Sequence, residues 1–150
     1  MAKFVYRMQN ILNIKQKLET QAKMTYSLAN QKYVEQQKIL QEYMVRRVGY
    51  EQHWKKLMQG NLNLQEVEHA RADVNAMKTI VRRQMVEVHK AEKELEDARN
   101  RLKTVMQERK VQEKLREKAF EEFKQELAEA ETKEIDELVS YTYNKGEQGE

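Results

Sequence analysis

The chain has 150 residues, no proline, four glycines, no cysteine, and 35% charged against 39% hydrophobic side chains. Turn-forming residues are too scarce for a globule that reverses direction about every dozen residues, so a few long helices fit better; disulfides, thiolate zinc sites and a cysteine nucleophile are excluded. The net charge of +3 is unevenly spread, with residues 1–58 at +7, 59–106 at +1, 107–137 at −4 and 138–150 at −1, which favours folding the last third back along the first.

The first helix is predicted from about residue 4 to about 58. Its stripe runs through Phe4, Met8, Ile11, Leu18, Ala22, Ala29, Tyr33, Leu40, Met44, Val48, Trp54 and Met58. The steps average nearer 3.6 than 3.5, which marks a weakly supercoiled, looser partner. Tyr26 and Tyr33, and again Tyr43 and Tyr50, lie seven apart and read as packing at the edge of the seam. Residues 3–18 are basic and superficially like an amphipathic transit segment. The same apolar pattern continues past residue 18, however, so the segment is read as ordinary helix. Gly49 falls inside this helix as a tolerated glycine or a soft point.

Stop and start signals then coincide at residues 59–63. Gly60 suits the positive φ that ends a helix. Asn63 can cap the next one with Glu66 three residues on, and Leu62 and Val67 hold the hydrophobic-staple positions. So short a loop between long helices makes them antiparallel.

The second helix is predicted from about 64 to about 140. Its seam is Val67, Ala70, Val74, Met77, Val81, Gln84, Val88, Ala91, Leu95, Ala98, Leu102 and Val105, alternating steps of three and four with Gln84 as the one polar member. This is the 3.5-residue repeat of a coiled coil. Beyond Val105 the seam is read as loosening into Val111, Leu115, Ala119, Phe123 and Leu127. With the tip near residue 61, Phe4 falls opposite residue 120 and about twenty residues of the second helix overhang; at about 1.5 Å per residue the rod exceeds 100 Å. The fold class is therefore all-α, an antiparallel coiled-coil hairpin in one domain, 1–143, with a disordered tail, 144–150. Such a hairpin buries one stripe per helix and invites partners.

Chemistry finds no foothold. His53, His69 and His89 are scattered, and the Glu66-x-x-His69 pair lacks the inward carboxylates of a metal bundle. Gly-rich phosphate loops are missing, and long exposed helices give carboxylates no pocket. No catalytic residue, metal or cofactor is predicted. A basic first helix with Arg46-Arg47, Lys55-Lys56 and nearby tyrosines could touch nucleic acid, but the acidic part of the second helix would cancel its field, and no nucleic acid is expected. A membrane-surface role would rest on residues 1–18 alone.

Phe4-x-Tyr6, Ile11-Leu12 and Lys15 to Glu19 at the start resemble the opening helix of the FliJ family of flagellar export proteins. Near the end, Glu113-Lys114-Leu115-Arg116-Glu117, Phe123, Glu126, Glu131, Lys133 and Asp136-Glu137-Leu138 are similar to its charged C-terminal signature. The resemblance implies a non-enzymatic part of the bacterial flagellar type III export apparatus, similar to the central stalk of rotary ATPases, whose terminal ends insert into the hexameric export ATPase FliI. It further implies contact with the export gate protein FlhA, escort of export chaperones, and a cytoplasmic place at the inner face of the membrane at the flagellar base, held there by partners. Glu113, Lys114, Arg116, Glu117, Asp136 and Glu137 are the implied ATPase-facing residues. Val74, Met77, Ile80 and Gln84 correspond to the gate-facing cluster, which in the family includes an aromatic that this stretch lacks. The alternatives are a generic coiled-coil scaffold or chaperone, an injectisome stalk protein, and a basic helical nucleic-acid-binding protein.

Overall fold

A computed structural model describes residues 2–148. Two helices, α1 (Gln9–Leu57) and α2 (Leu64–Gln148), pack against each other as an all-α hairpin, with no strand among the described residues. The described residues fall into two compact units: one holds Thr20–Thr104, the other the residues up to Glu19 with those from Val105 onward.

Two boundaries differ from the sequence expectation. α1 starts at Gln9 rather than near residue 4, and the Gln9 N–H donates to the Tyr6 carbonyl at 3.1 Å. Residues 2–8 place Phe4, Val5 and Tyr6 in succession, side chains that lose rotamer freedom in a helix, and contain no Ser, Thr, Asp or Asn to cap one. α2 runs past residue 140 to Gln148, so residues 144–148 of the expected tail are helical, while 149 and 150 lie outside the described residues. Without proline nothing stops the helix there. Thr142 Oγ1 donates to the Leu138 carbonyl at 2.8 Å, and the Lys145 ammonium lies 5.9 Å from the centre of the Tyr141 ring one turn back.

The turn forms where its signals coincide. Gly60 has φ +82°, and Asn63 Oδ1 accepts from the Gln65 N–H at 3.2 Å and the Glu66 N–H at 3.5 Å. Two of the N-terminal donors of α2 are thereby satisfied.

Within the unit Thr20–Thr104, Ala70, Val74, Met77, Val81, Ala91, Leu95 and Ala98 of α2 are buried together with Ala22 and Ala29 of α1. Ala29, Leu95 and Ala98 form one cluster, with Tyr26 and Tyr33 packed over its edge. Lys32 and Glu94 pair across the helices at 3.0 Å. Gln84 lies inside the seam at 8% exposure, its amide donating to both the carbonyl (2.9 Å) and the Oε1 (2.7 Å) of Gln36.

The α1 stripe is a correction. Met8, Ile11, Met44, Val48 and Met58 are exposed. The buried and half-buried line is instead Leu12, Lys15, Glu19, Ala22, Tyr26, Ala29, Tyr33, Gln36, Leu40, Tyr43 and Arg47, an unbroken alternation of three and four. α1 therefore carries the same 3.5-residue repeat as α2, hidden because Lys15, Glu19, Gln36 and Arg47 stand on it. Long polar side chains can occupy such positions by laying their apolar stems against the partner helix and sending the head outward or onto a cross-helix acceptor.

Gly49 and Gly60 predict opposite outcomes. Gly49 sits in the interior of α1, where an added Cβ meets nothing within 4 Å; Gly49→Ala should stabilise the fold by about 0.5–1 kcal/mol. Gly60→Ala should destabilise it by about 1–2 kcal/mol through strain at positive φ. Urea-unfolding midpoints of the two variants check this, and a shift of both in one direction would contradict the assigned backbone roles.

Candidate functional site

The same count continued past Val105 reaches Arg109, Gln112, Arg116, Ala119 and Phe123. In the terminal unit these positions meet α1 (Arg109, Arg116) or the residues just ahead of it (Gln112, Ala119, Phe123), whereas Val111 and Leu115 are exposed at 56% and 44%, and Leu127 is exposed as well. The expected loosening into steps of four is thus corrected: the register is kept and the chemistry of its residues changes. Hydrophobic counting follows Val111 and Leu115 because it cannot see a seam made of polar side chains.

Each polar position there has a cross-helix partner. Lys15 Nζ donates to Glu108 Oε2 at 2.9 Å. The Arg109 guanidinium lies between two carboxylates, its Nε facing Glu19 Oε2 and its Nη1 donating to Glu113 Oε2 at 2.8 Å. The Glu19 side chain is 9% exposed and that of Arg109 19%. The hydrogen bond to Glu113 raises the Arg109 pKa above its ordinary value against the opposing effect of burial, and Glu19 adds to the rise. The group therefore stays charged throughout the range of folded stability. Tyr6 Oη donates to Gln112 Oε1 at 3.3 Å, and Arg116 Nε donates to Gln9 Oε1 at 2.9 Å.

An aromatic contact closes this unit. The Phe4 ring lies edge-on to Phe120 (centroids 5.0 Å apart, 63°) and tilted against Phe123 (5.5 Å, 49°), with the Arg116 guanidinium 5.6 Å from its centre. Each such contact contributes on the order of 1 kcal/mol. From residue 124 to 146 every α2 side chain is exposed, including Ile135, Leu138, Val139, Tyr141 and Tyr143.

The six charged candidates divide accordingly. Glu113 and Arg116 are engaged within the chain, Glu113 with Arg109 and Arg116 with Gln9 and Phe4. Lys114, Glu117, Asp136 and Glu137 are exposed. Of the four gate candidates, Val74 and Met77 are buried in the seam and offer a partner almost no surface. Gln84, also buried, and the half-buried Ile80 line a shallow groove with Tyr43, Arg83, Val86 and Glu87, so α1 supplies beside them the aromatic that this stretch of α2 lacks.

The surfaces on offer are open grooves along helices. Among the described residues no group of three or more His, Cys, Asp or Glu side chains is placed to hold a metal ion, and His53, His69 and His89 are all exposed. No helix among them is long and apolar enough to cross a membrane. The C-terminal part of α2 is charged and exposed.

A family model described as flagellar FliJ protein matches residues 4–148. The chain belongs to the FliJ family. Membership makes it a component of the flagellar protein export apparatus, a type III secretion system. Comparisons with curated proteins and with solved structures give no match. The match spans α1, the turn and α2, so the FliJ assignment covers both the apolar seam and the polar terminal unit.

The Gln36–Gln84 pair invites a direct test. A polar residue at a seam position fixes register at some expense in stability, and removing both partners of a buried hydrogen bond together is neutral or stabilising. The double variant Gln36→Leu/Gln84→Leu should therefore gain about 1 kcal/mol in urea unfolding while acquiring a concentration-dependent mass in light scattering. A less stable double variant that remains monodisperse would show that the pair supports the fold rather than its specificity.

Proposed function

We propose that this FliJ-family chain is the stalk of the export ATPase ring: the exposed end of α2 enters the pore of the hexamer FliI while the apolar seam keeps the hairpin together. The observation that carries this reading is the stretch 135–146, helical and exposed beyond the groove that Ala2 lines with Leu127, Ala130, Glu131 and Glu134, which leaves a full helical circumference for a surrounding ring. Its charged residues Asp136 and Glu137, with Lys114 and Glu117 nearer the N-terminal segment, are the contacts we assign to the ATPase. Arg116 and Glu113 contribute less in the form seen here because they serve the fold as well.

Contact with the gate protein FlhA is assigned to the groove where Tyr43 lies beside Ile80, Arg83 and Val86. Val74, Met77 and Gln84 act there as the buried support of that surface rather than as contacts. Escort of export chaperones and a position at the inner face of the membrane, held through these partners, complete the role. The chain itself carries no reaction; it acts by being bound.

Charge reversal at the overhang tests the ATPase contact without disturbing the hairpin. Asp136→Lys/Glu137→Lys changes two exposed side chains, so circular dichroism should be unaltered while stimulation of ATP hydrolysis by FliI falls by about tenfold, the equivalent of roughly 1.4 kcal/mol in binding. Stimulation equal to that of the unaltered chain would remove these residues from the interface. Absence of binding and stimulation by the unaltered chain would overturn the stalk reading itself.

A further inference from the structure

The N-terminal segment ahead of α1 is not absorbed by the hairpin. Residues 2–8 are not helical, and the backbone hydrogen bonds at their junction with α1, Gln9 N–H to the Tyr6 carbonyl and Leu12 N–H to the Met8 carbonyl, are local. The segment lies along α2 from Gln112 to Glu134, where Ala2 lines a groove with Leu127, Ala130 and Glu131, and it is held by the Phe4 ring, by the 3.3 Å bond from Tyr6 to Gln112, and by Arg116 at its C-terminal edge. A groove lined by Val5, Tyr6, Arg7, Ala119 and Glu122 runs along it, with Val5 at its exposed rim. Few buried apolar contacts and no backbone bonding to a neighbour are the marks of a segment that opens locally without unfolding the rest.

We propose that residues 2–8 form a strap that masks one face of α2 and lifts when a partner engages the end of that helix. The side chains it covers are complementary to a protein surface presenting apolar groups beside a carboxylate. Lifting uncovers the half-buried Phe123, adds to the exposure of Phe120, and takes the Phe4 ring away from the Arg116 guanidinium, which keeps its bond to Gln9 of α1. A guanidinium released from an aromatic face gains a stronger, charge-assisted partner in an incoming carboxylate, which favours the lifted form. The identity of that partner as the ATPase ring rests on the stalk reading above; the motion of the strap does not.

The absence of cysteine makes the test clean. Ala119→Cys, half-buried at the floor of the groove, is labelled with N-ethylmaleimide in the full chain, with Leu138→Cys as an exposed reference. Ala119→Cys should react at least about tenfold more slowly than the reference, and adding Phe4→Ala should raise its rate by about the same factor, since local opening sets access. Equal rates at both cysteines, or no response to Phe4→Ala, would overturn the strap. In a second arm, Val5→Cys and Glu122→Cys, which line one groove, are joined by a short bis-maleimide. The joined protein should stimulate ATP hydrolysis at least about fivefold less than the same protein before joining, because the population able to lift is removed. Full stimulation by the joined form would refute masking. If neither form stimulates, the stalk reading fails, and the labelling arm still decides whether the strap opens.

Discussion

Two helices alone can bury one stripe each, and everything else in this molecule follows from keeping those stripes in register. A repeat of 3.5 residues holds a seam on one face for dozens of residues only if every third and fourth position faces the partner, whatever its chemistry. Here the line on α2 continues from Val67 to Phe123, and α1 answers it from Leu12 to Arg47. The line stays fixed while its occupants change. Alanine and valine bring the helices close around Ala29, Val81 and Ala98, and Gln36 with Gln84 adds a pairing that only one alignment satisfies. Lysine, arginine and glutamate take over near the chain ends.

That change of occupants separates holding from meeting. Apolar positions bind the helices and present little outward, as at Val74 and Met77. Polar positions such as Arg109 and Arg116 also span the helices, but through directional contacts that a competing carboxylate or amide can replace. The aromatic contact of Phe4 with Phe120 and Phe123 sits at the outer limit of this polar stretch, beyond which every α2 side chain up to residue 146 is exposed.

The hairpin was legible because its signals are local. Gly60 and Asn63 act within a few residues, the α2 seam is apolar enough to count directly, and the tip position alone set Phe4 opposite residue 120, within one turn of both rings it touches. The α1 line was not legible, since a count of apolar residues is drawn to Met44 and Val48 and away from Gln36 and Arg47. The same bias misread the seam beyond Val105. Extending the phase of the regular segment blindly, without asking which residues it met, recovers Arg109, Gln112 and Arg116. Val74, Met77 and Gln84 were taken from a match of positions along the sequence, which carries no information on which side of the helix a residue faces; all three lie in the seam. The start of α1 at Gln9 and the persistence of α2 to Gln148 were missed because each depends on context, the first on a strap of poor helix formers and the second on a helix that simply meets no breaker.

The polar composition of the terminal seam has a consequence for how the chain comes apart. Hydrogen exchange and proteolysis sample proteins as cooperative units of unequal opening energy. The unit Thr20–Thr104, with its valines and alanines, forms the durable one. The unit containing Glu19 and Val105, held largely by exchangeable polar pairs, forms the labile one and responds to salt, since partly exposed ion pairs are screened. Ionic conditions can therefore adjust the readiness of the ends to trade partners while the alignment of the helices, stored in the apolar unit, is preserved for their return.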